Sequence, residues 1–354
     1  MIPDLQMGGV QRMLLKALPR LRPLGIETEV VCIGARGELA AELERLAVPL
    51  HLAPFRSRLD PLGVLRLRRL ARARGANILH GHMYAANVAV MAASLGRRPW
   101  AAVASYHSQT PFFGASQRRT ARLLRNVPDA YVAVSESVAE PLRAAGLPPE
   151  RIHTLPNGAE LPESSAPLPP YALGEPLRAV WTGRFVKAKR LARMVEWVAA
   201  CRDAGLAVHL ELVGDGPLFA EVRDRAASLG VADRVAFPGA VADVKPHLRA
   251  AHLFASMSER EGFSNALLEA CAEARGFLLS DIPPYREMLG DSRAGECLPD
   301  ELPAWVAAAK SLDAARLAEM SAEARRRAEA YSLDAAAERY AALYRRLIAD
   351  RAES

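Results

Sequence analysis

Cysteine is scarce in this sequence, and its few occurrences are scattered. The 354 residues include four cysteines, none of them in a C-x-x-C pair, and no cluster of histidines accompanies them. Zinc sites and disulfide frameworks need such ligands or partners at short, regular spacings. Neither is therefore expected, and we predict that the four cysteines are buried thiols.

Long apolar runs are also missing. The longest apolar stretch, from Val88 to Leu95, is far shorter than the ~20 residues that span a bilayer. The chain does not open on a basic segment followed by an apolar one, as a secretory signal would. These absences predict a soluble, cytoplasmic protein.

Acidic residues are under-represented in the first half only. Residues 1–160 carry 21 Lys and Arg against 12 Asp and Glu, whereas the rest of the chain carries 25 against 28. An excess of positive charge in one half indicates an anionic partner for that half. Arginines spread over solvated helix faces would give the same count, so both interpretations stay open.

Apolar residues are plentiful, at 51% of the chain, and they occur in short runs that alternate with helical patterns. A length of 354 residues exceeds the usual size of one hydrophobic core, so two domains are expected, with one large barrel as the rival. Strands are predicted at 1–5, 29–33, 48–52, 77–80, 101–106, 130–134, 151–155, 178–182, 207–213, 234–237, 252–256 and 277–279. Helices are predicted at 10–21, 60–74, 84–95, 115–126, 137–145, 190–204, 217–229, 243–250 and 264–274. This order indicates βαβ units and parallel sheets, that is, an α/β fold.

A proline-rich stretch divides the alternation into two halves. Residues 157–176 show no periodic pattern, which is typical of a linker. From Leu302 onward the chain is almost wholly helical. Ser332 is well placed to cap a last helix, whose apolar residues need a surface to cover.

Glycine-rich turns follow several predicted strands. Gly8 and Gly9 precede the first helix, where a phosphate could approach the backbone amides, although a Gly-Gly junction is more often only a turn. Arg184 follows the first strand of the second half, and Lys189 opens the next helix. Two cations are thus expected at the carboxyl end of a parallel strand, the edge at which open α/β sheets bind ligands. They suit a diphosphate, but solvated surface cations would look the same. The turn at 213–217 is better explained by chain reversal into a Pro-initiated helix.

The most informative stretch is EGFSNALLE at 261–269. Glu261 is expected in a loop, while Ser264 and Asn265 can cap a helix that carries Glu269 on its second turn. The amides of 262–266 would then face the same side as both carboxylates. Helix N-terminal amides bind phosphate, and carboxylates accept hydrogen bonds from sugar hydroxyls, so the segment could hold a nucleotide sugar. A capped surface helix is the alternative.

Taken together, these motifs resemble family 4 of the glycosyltransferases, a retaining group with the GT-B fold. The resemblance rests on GGVQR at 8–12, SYH at 105–107, AYVAVSE at 130–136, LPNG at 155–158, TGRFVKAK at 182–189, LVGDGP at 212–217, VAFPGAV at 235–241, EGFSNALLE at 261–269 and YSLDAAAERYAALY at 331–344. It covers nearly the whole chain. The two glutamates separated by seven residues, combined with the Arg-x4-Lys spacing, are its most specific part.

The resemblance implies an architecture of two Rossmann-like domains that face each other across a cleft. It assigns residues 1–160 to an acceptor domain and residues 161–330 to a nucleotide-sugar domain. Residues 331–354 would form a helix that returns to pack on the first domain.

The resemblance also implies a role for each matching residue. Glu261 would contact donor-sugar hydroxyls and Glu269 the ribose, while Arg184 and Lys189 would hold the diphosphate. His107 matches a histidine that reaches toward the donor sugar, with a buried structural histidine as the alternative. The candidate catalytic residues are thus Glu261, His107, Arg184 and Lys189. The candidate donor-binding residues are Gly8, Gly9, Gly262, Phe263, Ser264, Asn265, Glu269, and the base-contacting turn from Phe237 through Gly239 to Ala240. His80 and His82 form an H-x-H pattern, but a third ligand is not evident and the family works without a metal, so neither a metal nor a cofactor is expected.

Four departures from the family pattern stand out. After the second glutamate the family usually has A-x-G-x-P-V, whereas this chain has AEARGF at 272–277. A Gly-Gly loop usually precedes the glutamate matched by Glu287, but here the sequence is PPYR at 283–286, which we expect to change the wall near the donor sugar. His252 replaces a common aspartate and Met257 a common proline, both of which look structural. Finally, the first strand is shorter than usual, with four or five residues before its turn.

The resemblance therefore implies a metal-independent, retaining hexosyltransferase. It would move a sugar from a UDP- or GDP-sugar to a glycan or lipid-linked acceptor in cell-surface polysaccharide or glycolipid synthesis. The alternative from another class is a non-catalytic GT-B relative that binds a nucleotide or a partner without transfer, which the altered segments favour and the retained charged residues oppose. A glycoside hydrolase built on Glu261 and Glu269 fails, because one lies in a loop and the other inside a helix.

Arginines recur on two predicted helices of the first half. They are Arg66, Arg68, Arg69, Arg72 and Arg74 on one, and Arg118, Arg119, Arg122 and Arg125 on another that follows Pro111-Phe112-Phe113. A basic helix beside exposed aromatics can lie on an anionic leaflet. An anionic membrane surface, at the inner face of the cytoplasmic membrane, is thus a further expected partner, with solvated helix faces as the alternative. No nucleic acid is expected.

Overall fold

A computed structural model describes residues 1–6, 8–57, 60–109, 114–163, 166–172 and 174–353. The chain divides into two compact units. The first consists of residues 1–158 together with 333–354, and the second of residues 159–332. Among the described residues, no helix is long and apolar enough to cross a membrane.

The first unit alternates strands and helices as the apolar runs predict. Its described strands are β1 (Val30–Cys32), β2 (Leu50–Leu52), β3 (Ile78–His82), β4 (Ala101–Tyr106), β5 (Ala130–Ala133) and β6 (Ile152–Thr154). Its helices, apart from the last helix of the chain, are α1 (Gly9–Leu21), which precedes β1, and then α2 (Ala40–Arg45), α3 (Pro61–Ala73), α4 (Tyr84–Ala93), α5 (Ala115–Leu123) and α6 (Glu136–Ala144). Strand β1 pairs with β2, and β3 to β6 pair in sequence order, all in parallel. The short helix α2 was not predicted.

The predicted first strand over 1–5 is reduced to a single bridge between Ile2 and Cys32. Residues 1–3 nevertheless lie between β1 and β3, because the Ile2 amide donates to the Val31 carbonyl at 3.0 Å and the His82 amide donates to the Met1 carbonyl at 3.0 Å. The strand ends early for two local reasons. Pro3 has no N–H to donate, and the Asp4 carboxylate accepts from the Gln6 amide at 3.1 Å, which turns the chain toward α1.

The second unit repeats the alternation. Its described strands are β7 (Leu177–Thr182), β8 (Val208–Val213), β9 (Val235–Gly239), β10 (Leu253–Ser256), β11 (Gly276–Ser280) and β12 (Gly295–Leu298). Its helices are α7 (Leu191–Asp203), α8 (Phe219–Ser228), α9 (Lys245–Ala250), α10 (Asn265–Ala272), α11 (Pro283–Leu289), α12 (Leu302–Lys310) and α13 (Ala314–Ala330). The strands form one parallel sheet in the order β12-β11-β10-β7-β8-β9. The predicted α/β class with parallel sheets is confirmed.

Side-chain caps fix where several helices begin. The Asp60 carboxylate accepts from the Leu62 amide at 3.0 Å before Pro61 opens α3. The Ser135 and Ser264 hydroxyls accept from amides three residues ahead, at the starts of α6 and α10. Such caps satisfy amides that have no partner inside the helix, which is why these short polar residues mark helix starts in the sequence.

The last helix, α14 (Leu333–Ala352), belongs to the first unit. Its buried side includes Ala337, Tyr340 and Ala341, which pack with Val103 of β4 and Val132 of β5. The helix therefore supplies the apolar layer over one face of the first sheet that the sheet's buried residues require.

The linker is held to the second unit by two of the residues that depart from the family pattern. The buried Arg275 guanidinium donates to the carbonyls of Glu273, Ala251 and Ala166, at 2.7, 3.1 and 2.9 Å. The His252 imidazole accepts from the Arg178 amide at 2.9 Å and, through its other nitrogen, bonds the Pro170 carbonyl at 3.1 Å.

All four cysteines are free thiols. Cys32, Cys201 and Cys271 are buried, whereas Cys297 is only half-buried, so the expectation of four buried thiols is wrong at that position. Burial raises the pKa of the Cys201 and Cys271 thiols to about 12.

Candidate active site

The order in which strands are added to the second sheet reverses at its first strand, β7. Strands β8 and β9 add on one side of β7, while β10, β11 and β12 add on the other. The loops that leave the carboxyl ends of β7 and β10 therefore diverge, and open parallel sheets bind ligands in the crevice formed at such a point. The two loops are joined by a hydrogen bond of 2.9 Å from the Glu259 amide to the Ala188 carbonyl.

The loops after β7 and β8 contact each other through their backbones. A Cβ atom on Gly214 would lie 1.8 Å from the Gly183 carbonyl oxygen, and Gly214 has a φ of +139°. Only glycine fits there, for both reasons. The Gly183 amide donates to the Val213 carbonyl at 2.9 Å, and the Phe185 amide donates to the Asp215 carbonyl at 2.9 Å. This contact fixes the backbone on both sides of Arg184.

Arg184 lies exposed at this edge, in the turn directly after β7. Among the described residues, no hydrogen bond or ion pair occupies its guanidinium group. An exposed cation on a rigid turn at the carboxyl end of a central strand is free to bind an anion.

Lys189 and Glu261 form an ion pair between the loops that follow β7 and β10. The Lys189 ammonium donates to both carboxylate oxygens of Glu261, at 2.5 and 2.7 Å. The exposed fractions are 23% for the lysine side chain and 9% for the glutamate side chain. Lys189 does not open α7 as predicted. It ends a 3-10 turn over Lys187–Lys189, and α7 begins at Leu191 after Arg190 adopts a left-handed conformation.

Glu261 also has a second partner, which sequence reasoning missed. The Tyr285 hydroxyl donates to its Oε1 atom at 3.2 Å and lies 2.8 Å from the Ser256 hydroxyl. Burial and the Glu261 charge raise the pKa of Tyr285 well above its usual value, so the phenol stays protonated. Tyr285 belongs to the segment 283–286 that was predicted as an altered loop. The segment is instead the start of α11, where two prolines occupy the first turn. Prolines at that position are a common helix-start signal.

The predicted capped helix after Glu261 is present. Ser264 is the N-cap of α10, Asn265 is its first residue, and the half-buried Glu269 lies on its second turn. Phe263 is buried against Tyr331, with ring centroids 5.4 Å apart. Gly262 precedes them in the loop that carries Glu261, so the stretch 261–269 runs from the crevice into the first turns of a helix.

Phe237 and Gly239 lie within β9 and not in a turn as predicted, because the strand continues to Gly239. The Phe237 ring meets Phe219 edge-on at 5.9 Å, and Gly239 has a φ of +80° with open space beside its Cα. The Gly214 amide donates to the Gly239 carbonyl at 2.8 Å. The end of β9 thereby joins the loops after β7 and β8.

The remaining candidates belong to the first unit. Gly8 is the N-cap of α1 and Gly9 its first residue, so the Gly-Gly turn opens the helix as predicted. His107 directly follows β4, at the carboxyl edge of the first sheet, and its Nε2 atom lies 3.2 Å from Nδ1 of His82. The Nδ1 atom of His107 is buried and has no hydrogen-bond partner among the residues that the structure describes.

His107 is one of three neighbouring histidines. His80 and His82 stack with ring centroids 4.1 Å apart, and the His80 ring bonds the Tyr344 and Ser105 hydroxyls, each at 2.6 Å. Burial lowers the pKa of all three imidazoles, that of His107 to about 4. Three uncharged rings can pack together where three imidazoliums could not. Within the ranges described above, no group of three or more His, Cys, Asp or Glu residues is arranged to hold a metal ion.

Solved structures with the same fold cover nearly the whole chain. Anabaena Alr3699/HepE, solved in complex with UDP, matches with a TM-score of 0.81 at 19% identity over 97% of this chain and 98% of that one. A glycosyltransferase from Rickettsia africae matches with a TM-score of 0.81 at 15% identity over 98% and 97%. The lipopolysaccharide outer core galactosyltransferase WaaB matches with a TM-score of 0.75 at 16% identity over 97% and 99%. The fold of this chain is GT-B, as its motifs predict.

Two family descriptions match the sequence. Residues 7–162 match Glycosyltransferase Family 4, and residues 176–313 match Glycosyl transferases group 1. Together they span most of the chain. The protein belongs to family 4 of the glycosyltransferases.

Curated relatives match over shorter stretches. The D-inositol 3-phosphate glycosyltransferase of Kineococcus radiotolerans is 36% identical over 130 residues, which are 34% of this chain and 30% of that protein. The lipopolysaccharide core biosynthesis glycosyltransferase LpsE of Rhizobium meliloti is 38% identical over 91 residues, 26% of each chain. The Vi polysaccharide biosynthesis protein VipC/TviE of Salmonella typhi is 38% identical over 87 residues, 25% of this chain and 15% of that protein. The match thus spans less than a third of each of these three relatives.

We predict that mild acid destabilises the first unit through its histidines. Because the folded-state pKa of His107 lies below the ordinary value, the unfolded chain binds a proton that the folded chain excludes, and stability present above about pH 6.5 is lost as the pH falls toward 4. For His107 alone the loss at pH 5 is about 2 kcal/mol. Thermal unfolding followed by circular dichroism should show a midpoint several degrees lower at pH 5 than at pH 7.

The comparison protein is His107→Gln, which cannot titrate in this range. Its midpoint should fall less than that of the parent between pH 7 and pH 5. Parallel pH profiles for the two proteins would contradict the assignment of this pH dependence to His107.

Proposed function

We propose that this protein transfers a sugar from a nucleotide diphosphate donor, with retention of anomeric configuration, to a glycan or lipid-linked acceptor. The observation that carries the proposal is the arrangement at the carboxyl edge of the second sheet, where the loop after β7 carries an exposed Arg184 and the Lys189–Glu261 pair joins that loop to the one that leads into the capped start of α10. Cations and helix N-termini suit a diphosphate, and carboxylates suit sugar hydroxyls. One edge thus offers groups for both halves of a nucleotide sugar.

The chemistry that suits these residues needs no protein general base. Arg184 and Lys189 would hold the diphosphate, and they would stabilise the charge that develops on it as the bond to the sugar breaks. The departing diphosphate would accept the acceptor's proton on the same face of the sugar. Preorganised contacts of this kind are typically worth ~3–4 kcal/mol each in the transition state. Glu261 would orient the sugar ring, and Glu269 would accept from the ribose.

The comparisons support a UDP-sugar as the first donor to test. Structures of Anabaena Alr3699/HepE hold UDP, UDP with glucose, and UDP-glucose. The names of the curated relatives refer to lipopolysaccharide core and Vi polysaccharide synthesis. We therefore propose a role in cell-surface polysaccharide or glycolipid synthesis, with GDP-sugars as the second class of donor.

A non-catalytic GT-B relative is the second candidate, because two segments depart from the family pattern. Both segments have local explanations. Arg275 of the first segment bonds four backbone carbonyls, and Tyr285 of the second bonds Glu261. Neither change displaces the charged residues at the crevice, which favours the catalytic proposal.

The function is tested by incubating the protein with UDP-, GDP- and ADP-sugars and following release of the nucleoside diphosphate, with and without acceptor extracts. We expect turnover with one nucleotide class, and the same rate in the presence of EDTA, because the cations that neutralise the diphosphate are side chains. A rate abolished by EDTA and restored by one divalent metal would overturn metal independence. Tight nucleotide binding without any turnover would favour the non-catalytic relative.

Replacing Arg184 should weaken binding of the diphosphate and not of the nucleoside. Charge-assisted hydrogen bonds contribute about 1.5–3 kcal/mol, so Arg184→Ala should bind UDP or GDP roughly 10- to 100-fold more weakly. Uridine or guanosine should bind within about twofold of the parent. Isothermal titration calorimetry measures both.

Lys187→Ala is the matched control for Arg184→Ala. Lys187 is an exposed cation three residues further along, and no described residue pairs with it. It should leave both affinities unchanged. Equal losses for nucleoside and nucleoside diphosphate in Arg184→Ala would count against a phosphate contact.

We also propose that α5 contacts an anionic membrane surface. Arg118, Arg119, Arg122 and Arg125 are exposed, and no described residue pairs with their guanidinium groups. Leu123 on the same helix is 75% exposed. The aromatic segment Pro111-Phe112-Phe113, predicted to lie beside this helix, falls outside the described residues. Each cation near an anionic leaflet contributes about 1 kcal/mol, so four together would bind reversibly.

Co-sedimentation with phosphatidylcholine vesicles of rising phosphatidylserine content tests this contact. The parent should sediment more as anionic lipid increases and less at high salt, because salt screens exposed charges. Changing the four arginines to serine should abolish the response. The control changes Arg223, Arg225, Arg293 and Arg326, four exposed arginines of the second unit, to serine and lowers the net charge equally. Equal loss of binding in both variants would mean that net charge alone, and not the position of these four arginines, explains membrane binding.

A further inference from the structure

Tyr285 lies where the family pattern has a Gly-Gly loop, and its side chain reaches the catalytic candidate Glu261. The residue is 1% exposed and lies in the first turn of α11. Its hydroxyl is 3.2 Å from Oε1 of Glu261 and 2.8 Å from the Ser256 hydroxyl. The Ser256 hydroxyl in turn lies 3.1 Å from that of Ser258.

The direction of these hydrogen bonds follows from the carboxylate. An ionised carboxylate only accepts, so the single proton of the Tyr285 hydroxyl is donated to Glu261. Ser256 must then donate to Tyr285, and Ser258 to Ser256. The three hydroxyls form one directed chain, buried in the second unit, that ends on an oxygen of Glu261.

The two partners of Glu261 differ in how firmly the chain holds them. Lys189 projects from a 3-10 turn, and its ammonium can rotate about a flexible four-carbon stem. Tyr285 is a buried ring on a helix whose first turn is fixed by two prolines. Its hydroxyl partner Ser256 ends strand β10. Tyr285 is thus the fixed partner of Glu261 and Lys189 the movable one.

Under the proposed function, on which this inference rests, Glu261 and the diphosphate compete for Lys189. In the structure its ammonium is bound to both oxygens of Glu261. A bound diphosphate would draw the ammonium away, and Glu261 would lose its strongest partner as the sugar arrives. We propose that Tyr285 is a positioning residue that holds the Glu261 carboxylate in place for the sugar while Lys189 turns to the diphosphate.

The test is Tyr285→Phe, which removes the hydroxyl and keeps the ring that fills the core. Because this variant cannot donate a hydrogen bond to the charged Glu261 carboxylate, we expect kcat for the donor to fall about 10- to 100-fold. The Kd of UDP or GDP, which do not carry the sugar, should stay within about twofold of the parent. A merely structural role would lower kcat, nucleotide affinity and thermal stability together.

Two further variants separate positioning from loss of stability. Tyr131→Phe deletes another buried tyrosine hydroxyl, which donates to the Arg125 carbonyl at 2.8 Å in the first unit, and should leave kcat unchanged. Ser256→Ala keeps the bond from Tyr285 to Glu261 but removes the donor behind it, so its kcat should fall less than that of Tyr285→Phe.

The outcomes separate this inference from the proposed function. An active parent with an equally active Tyr285→Phe, or one in which kcat and UDP affinity fall in parallel, would overturn the role of Tyr285 alone. A parent that neither binds nucleoside diphosphates nor turns over any sugar nucleotide would overturn the proposed function and this role with it. Loss of kcat with nucleotide affinity retained supports both.

Discussion

Strand β7 lies at the centre of the second sheet, with β10 hydrogen-bonded to one edge and β8 to the other. The arrangement of Arg184, Lys189 and Glu261 depends on that position. Because the chain leaves β7 toward one side and β10 toward the other, their loops separate and leave a crevice. On the other side of β7, the loops after β7 and β8 meet through their backbones, and Gly214 has no room for a Cβ beside the Gly183 carbonyl. The same order holds in the first unit, where residues 1–3 lie between β1 and β3.

Two of the residues that break the family pattern, Arg275 and His252, both bond the linker. Arg275 is fully buried, and an unpaired buried guanidinium would be strongly destabilising. Its donors are bonded to backbone carbonyls, one of them in the linker at Ala166, and His252 bonds the linker at Pro170. Burial lowers the pKa of both side chains, that of Arg275 to about 10. The two changes together hold the linker against the second unit, so the altered sequence at 272–277 serves packing and leaves Glu269 in its helix.

Much of the fold could be predicted from the sequence because its signals are local. Ser264 caps α10 three residues before the amide it binds, and alternating apolar runs mark the strands. The contacts of Glu261 could not be predicted in this way, since Lys189 lies 72 residues away and Tyr285 lies 24 residues away. The family pattern marks 283–286 as altered, but the interpretation of this segment as a loop missed the helix that two adjacent prolines favour. Only the folded backbone brings the tyrosine to the carboxylate.

Lys189 and Glu261 are both candidate catalytic residues, and their ion pair must open before either can contact a ligand in its place. The side chains of Glu261 and Lys189 are only 9% and 23% exposed, so separating them would leave two poorly solvated charges. Losing one partner of such a pair typically costs about 3–5 kcal/mol. A diphosphate would replace the carboxylate as the partner of Lys189. Nothing in the diphosphate replaces the lysine as the partner of Glu261. The Tyr285 hydroxyl already donates to Glu261, and under the proposed function the sugar hydroxyls would add to it, so the exchange would be most favourable for a ligand that carries both phosphate and sugar. Under the proposed function, such a site would favour the intact nucleotide sugar over either of its parts.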